Sequence, residues 1–121
     1  MPVCYTRRMH STLKADGRFW LTLNGKNFLG RGRVELLQRI RETGSISKAA
    51  KAMKMSYKAA WDAVDAMNAG WSSPLVESGP AGSRLTADAE HLIAAYQKAE
   101  GRHAAFMLEL TDELSVSPSA S

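Results

Sequence analysis

Residues 44–68 read GSISKAAKAMKMSYKAAWDAVDAMN, two short helical patterns joined by a tight turn. The first spans about residues 46–53 behind Ser45, and the second about 57–68 behind Ser56. Serine just before a helix accepts a bond from an otherwise orphaned first-turn N–H, so these two serines mark two helix starts. Ile46, Ala49, Ala50 and Met53 recur on one face of the first helix. Ala60, Val64 and Met67 recur on one face of the second, again at helical spacing. Small residues at that contact let two helices cross steeply. The outer sides carry Ser47, Lys48, Lys51, Lys54, Ser56 and Lys58. An alanine-lined helix pair with a basic outer side is what a helix-turn-helix needs to enter a DNA major groove.

The surrounding chain supports that reading. Its 121 residues imply one domain, and a hydrophobic content of 45% is enough for a modest core. The net charge of +4 conceals a steep asymmetry. Residues 1–58 hold 13 Lys and Arg against 3 Asp and Glu, and residues 59–121 hold 3 against 9. A folded molecule so divided has a basic side, which suits a polyanion from which it can release counterions. The single cysteine, Cys4, excludes an intramolecular disulfide. The N-terminal residues lack an apolar run of signal-peptide length, and no segment is long enough to span a membrane. A cytoplasmic protein is expected.

Upstream of the helix pair, residues 1–16 read as a flexible basic arm carrying Arg7, Arg8, His10 and Lys14. Residues 18–29 read as a hairpin turning at Asn24-Gly25, a dipeptide that tolerates positive φ at both positions. Phe19, Leu21, Leu23 and Phe28 are expected to face the core. Trp20 then lies on the other face, where a partner chain could cover it. Residues 31–42 form the next helix, with Val34, Leu37 and Ile40 inward, Leu36 beside them, and Thr43-Gly44 as its stop. Lys54-Met55 makes the turn of the helix pair without the glycine often found there.

Downstream, Leu75-Val76-Glu77 reads as a short strand, residues 78–83 (SGPAGS) as a loop, and Arg84-Leu85 as the returning strand. Together they make a wing. Thr86 caps a last helix reaching about residue 114, with Asp88 and Glu90 near its positive end. Leu92, Tyr96, Ala99, His103, Phe106 and Leu110 are spaced alternately by four and three, the pattern of a coiled-coil seam. Such a helix, ~40 Å long at ~1.5 Å per residue, is more than this domain can bury alone. A second copy is its natural cover. Residues 115–121, with Pro118, read as a disordered tail. The expected fold is mostly α with small β elements: a winged helix-turn-helix over residues 17–114, with an N-terminal β-hairpin and a long C-terminal dimerisation helix.

Enzymatic chemistry finds no foothold. His91 and His103 stand twelve residues apart on one helix, and no cysteine or carboxylate completes a metal-ligand set. Gly30-Arg31-Gly32 lacks the spacing of a phosphate-binding loop. Asp62 and Asp65 lie three apart without a further catalytic group, and read as a solvated face or as partners of neighbouring lysines. No metal and no cofactor are expected.

The residues resemble the DNA-binding domain of ModE-type molybdate-dependent transcription regulators, relatives of the LysR-type winged helices. The resemblance rests on Gly44-Ser45-Ile46-Ser47, Ser56-Tyr57-Lys58, Ala60-Trp61-Asp62-Ala63 and Met67-Asn68. Leu75-Val76-Glu77, Leu85-Thr86 and the preceding hairpin and helix also match, so it extends over about residues 19–114. It implies a homodimer, in agreement with the seam of the last helix. Fuller members of the family carry oxyanion-binding domains after this region, whereas this sequence stops at Ser121. Direct molybdate binding is therefore not expected, and the six-residue wing loop is short for the family.

The sites follow. Ser56, Tyr57, Lys58 and Trp61, at the start of the second helix, are candidates for base edges or the groove wall of double-stranded DNA. Trp61 is equally placed to be a core residue. Ser45, Ser47 and Lys48 stand where a first helix meets phosphate, and Lys54 and Arg84 are further phosphate candidates. Trp20, Leu92, Tyr96, Ala99, His103, Phe106 and Leu110 are the candidate dimer interface. The competing expectation is a winged-helix interaction module that partners another regulator or a metal-handling protein without binding DNA.

Overall fold

A computed structural model describes residues 13–120, and their side chains through residue 114. Cys4 and the arm residues Arg7, Arg8 and His10 lie outside the described residues. The elements run β1 (Leu21–Leu23), β2 (Lys26–Leu29), α1 (Arg31–Thr43), α2 (Ile46–Ala52), α3 (Tyr57–Gly70), β3 (Val76–Gly79), β4 (Gly82–Leu85) and α4 (Ala87–Ala120). The chain is mostly helical, with two separate antiparallel hairpins, β1-β2 and β3-β4.

The first hairpin turns as its dipeptide dictates: Asn24 has φ 52° and Gly25 φ 81°, both positive. Leu21 pairs with Leu29 but Thr22 with Asn27, which leaves Phe28 as an extra residue in β2. Such a bulge re-aims a side chain. Here consecutive Phe28 and Leu29 are both buried, and Phe28 stacks on Trp71 with ring centroids 5.8 Å apart. Phe19, Leu21 and Leu23 pack against the core from its edge.

Helix α1 buries Val34, Leu36, Leu37 and Ile40, and ends where Gly44, at φ 71°, returns its N–H to Ile40 O at 2.8 Å. Helices α2 and α3 start as their serines require. Ser45 Oγ accepts from the Lys48 N–H at 3.1 Å, and Ser56 Oγ from the Ala59 N–H at 3.0 Å. The alanine seam forms as expected, with Ala49, Ala50 and Ala60 at most 2% exposed. Met67, Val64, Leu75 and Ile93 complete a core continuous with that seam.

Three expectations need correction. In the wing, Ser78, Gly79, Gly82 and Ser83 belong to the ladder, so the loop shrinks to Pro80-Ala81. These small residues pair across the hairpin, with Ser78 and Ser83 hydroxyls 2.8 Å apart. Second, α4 continues to Ala120, so the backbone of the expected tail is helical over residues 115–120. Pro118 removes one donor there, yet its fixed φ near −65° is a helical value. Third, Tyr96 is 2% exposed and packs on Phe19 with ring centroids 5.6 Å apart. Its seam-like spacing reflects the core of this chain, where Ile93 joins it.

The chain forms two compact units. One is Phe19–Ala99, which contains both hairpins, α1 to α3 and the beginning of α4. In the other, residues 13–18 lie along the part of α4 from Glu100 onward. Within it the Ala15 N–H donates to Thr111 Oγ1 at 2.9 Å. A Cβ placed on Gly17 would meet His103 Nε2 at 3.6 Å and Met107 Sδ at 3.7 Å.

Around the start of α4, Thr86 Oγ1 accepts from the Ala89 N–H at 3.3 Å and so caps the helix as expected. Asp88 in the first turn receives the Ser73 hydroxyl at 2.6 Å and the Trp71 indole N–H at 3.1 Å, both on Oδ2. The Ser73 bond first, then the Trp71 bond, with a smaller pull from His91, hold this carboxyl below its ordinary value of 3.8. Depression in the folded state means a stability contribution that is full above the unfolded value and lost as pH falls through the folded one. Asp88→Asn is therefore expected to flatten the acid limb of the stability profile. Urea midpoints compared between about pH 5 and 2 measure it.

Candidate nucleic-acid interface

The turn between α2 and α3 has an unusual backbone. Met53 closes α2, and the Met55 N–H returns to Ala50 O at 3.0 Å. This path forces Lys54 to φ 56°, the left-handed region that glycine adopts freely and other residues reluctantly. The side chain that occupies this strained position is an exposed lysine.

Helix α3 then presents three sides. Ala60, Val64 and Met67 are buried. Trp61 is half-buried, packed against the core along one side and against Tyr57 on another, the two rings edge to face at 6.1 Å and 78°. Trp61 thus joins the core, as one of its two readings expects, and supports Tyr57, which is 55% exposed. On the third side Lys58 Nζ meets Asp62 Oδ2 at 2.9 Å, with side chains 85% and 63% exposed. An exposed i,i+4 pair contributes about 0.3–0.5 kcal/mol, and the order with lysine first is the weaker one. Lys58 can therefore leave Asp62 readily for a stronger acceptor.

The wing is tied to the start of α2. The Ser83 N–H donates to Gly44 O at 2.9 Å, one residue before the Ser45 cap. This contact brings Arg84, which pairs loosely with Glu77 at 3.4 Å, to the same part of the unit as the N-terminus of α2. Ser47 and Lys48 are exposed there, and Ser45 is half-buried with its hydroxyl engaged in the cap. Ser56 likewise serves α3 as its cap while remaining exposed. Ser45, Ser47 and Lys48 thus gather with the wing, while Lys54, Ser56, Tyr57 and Lys58 are all exposed around half-buried Met55.

The expected dimer residues differ in exposure. Within Phe19–Ala99, Tyr96 is core, Leu92 packs partly on the core, Ala99 is half-buried and Trp20 is 48% exposed. In the other unit, His103 and Leu110 are half-buried and Phe106 is 53% exposed.

Sequence reasoning missed the side chain that holds the wing to α3. Asn68 Oδ1 accepts from the Leu75 and Val76 N–H groups at 2.8 and 3.1 Å, while its Nδ2 donates to Val76 O at 3.1 Å. An asparagine at a helix end before a strand is the only hint, and it is a weak one. Among the described residues, no group of three His, Cys, Asp or Glu is placed to hold a metal ion. No helix there is long and apolar enough to cross a membrane.

Residues 32–90 match the family model described as bacterial regulatory helix-turn-helix protein, lysR family. That model describes regulatory proteins, and the residues it matches take in the helix-turn-helix and the wing. The chain also resembles curated proteins. It is 42% identical over 95 residues to the molybdenum-pterin-binding protein MopB of Rhodobacter capsulatus, covering 74% of this chain and 35% of that protein. It is 42% identical over 78 residues to the transcriptional regulator ModE of Haemophilus influenzae, covering 60% and 31%. It is 38% identical over 89 residues to the DNA-binding transcriptional dual regulator ModE of Escherichia coli K12, covering 69% and 34%. The chain thus spans about a third of the length of these curated relatives. A crystal structure of a LysR family transcriptional regulator shares the fold, with TM-score 0.56 and 19% identity over 74% of this chain and 30% of that one.

Proposed function

We propose that this chain is a sequence-specific, DNA-binding transcription regulator of the cytoplasm, working as a homodimer. Helix α3 enters the major groove by its N-terminal end. The observation that carries this reading is the uncovered set Lys54, Ser56, Tyr57 and Lys58 at the start of a helix whose opposite side is core. Tyr57 and Lys58 meet base edges or the groove wall. Lys54, Lys48, Ser47 and the wing's Arg84 take phosphates, and Ser45 positions the first of these groups by capping α2. The ModE relatives are named as transcriptional regulators, which favours the same reading. For the dimer, exposed Trp20, Phe106, Leu108 and Leu114 offer apolar surface to a second copy.

Lys54 supplies the test. Lys54→Gly relieves a left-handed residue and is expected to stabilise the chain by roughly 0.5–1 kcal/mol. The same change removes one phosphate partner, so affinity for every duplex falls and the slope of log K against log salt becomes shallower by about 1. Binding of the full chain to duplexes selected from a random pool, followed across salt, reads both effects beside thermal unfolding. A variant that is more stable and binds DNA undiminished would remove Lys54 from the interface. Absence of duplex binding by the parent chain at low salt would instead favour an interaction module.

A further inference from the structure

Around α3, the residues turned away from buried Ala60, Val64 and Met67 are Lys58, Asp62, Asp65, Ala66 and Ala69, all exposed. At ~100° per residue, Lys58 and Asp62 fall nearly opposite the centre of the buried side. The side chain nearest Lys58 on this outward strip is thus a carboxylate. A second carboxylate, Asp65, follows within one turn. Phosphate contact alone would disfavour this arrangement, because a carboxylate repels the DNA backbone and occupies the lysine that should neutralise it.

The pair has another property. Its ammonium and carboxylate, 2.9 Å apart, place a donor and an acceptor side by side on one outward face. A G·C pair displays the complementary pattern in the major groove: guanine O6 and N7 accept, and the neighbouring cytosine N4 amine donates. An A·T pair offers thymine O4 and a methyl group in place of the cytosine amine, and leaves the carboxylate facing no donor but adenine N6.

We infer that Asp62 is a specificity-determining residue, which with Lys58 reads one G·C pair in each half-site and penalises binding elsewhere. This deepens the proposed function and rests on α3 lying in the major groove. On non-cognate DNA the carboxylate meets no cytosine amine and its charge opposes the phosphates. On the cognate pair Lys58 turns to guanine and Asp62 accepts from cytosine.

The experiment measures affinity of the full chain for a selected duplex and for all single-pair replacements of its half-site. The parent, Asp62→Ala, Asp62→Asn and Asp65→Ala are compared at fixed salt, with circular dichroism confirming the helices. For Asp62→Ala, discrimination at one G·C position is expected to fall about tenfold, the scale of one base contact. Affinity for unrelated duplex should rise roughly threefold or more as Lys58 is freed for phosphate. Asp62→Asn should move the preference at that position toward adenine, whose N6 and N7 suit an amide. Asp65→Ala removes the same charge from a residue outside the Lys58 pair, and should raise affinity for all duplexes evenly. If Asp62→Ala and Asp65→Ala give the same even rise, with discrimination unchanged within about twofold at every position, the inference is overturned. A parent chain that shows no salt-dependent duplex binding refutes instead the proposed function beneath it.

Discussion

Gly82→Ala is expected to release the wing from the helix pair and to destabilise the chain by roughly 2–4 kcal/mol, the sum of backbone strain and one lost hydrogen bond. Gly82 sits at φ 117°, where an L side chain is strained whatever space surrounds it. A Cβ there would also stand 2.6 Å from Gly44 O. That oxygen is backbone, held in a helix stop, and it accepts the Ser83 N–H at 2.9 Å. Nothing flexible can give way, so β4 must move. Because Arg84 follows this contact by one residue, the wing's share of DNA binding should fall together with stability. Urea unfolding gives the first effect and duplex affinity the second. Gly79→Ala is the control: no atom crowds a Cβ at that position. Equal losses at Gly79 and Gly82 would mean that hairpin propensity, not docking to Gly44, sets the result.

Asn68→Ala should be as damaging. It strips partners from two N–H groups, those of Leu75 and Val76, and from Val76 O, beside residues that are themselves buried. Leaving part-buried backbone groups unbonded costs about 1–3 kcal/mol for each that water cannot reach, so a total near 3 kcal/mol is expected. Asn68→Asp separates the roles. It keeps the acceptor for both N–H groups but turns the donor toward Val76 O into a second oxygen, so it should recover part of the loss. Full recovery by aspartate would show that the Val76 O bond contributes nothing. A loss under about 0.5 kcal/mol for alanine would show the clamp to be dispensable, as at ordinary surface sites.

These two residues also mark where sequence reading stops. The helix pair was legible because its signals are local: serine caps, a 3.6-residue apolar period and a glycine stop each act within four or five residues. The Asn24-Gly25 turn was legible for the same reason. The bulge at Phe28 was not, since a period-two pattern carries no mark of an extra residue until the partner strand sets the register. Tyr96 misled through its spacing. A coiled-coil seam and one buried flank of a single helix share the same four-three alternation, and only the presence of Phe19 beside it separates them. Trp61 stayed undecided because an amphipathic ring at the boundary of a buried face serves the core and its exposed neighbour together.

By itself the sequence determined the helix-turn-helix, its two caps, the positions of its lysines and the division of charge along the chain, since all of these are written within single turns of helix or in composition. Only the tertiary structure decided how the wing is held and which apolar residues face inward along α4. Those facts depend on atoms brought together from separate stretches, Gly44 with Ser83 and Asn68 with Val76, or on which side of a helix the core occupies. Chain order alone states neither.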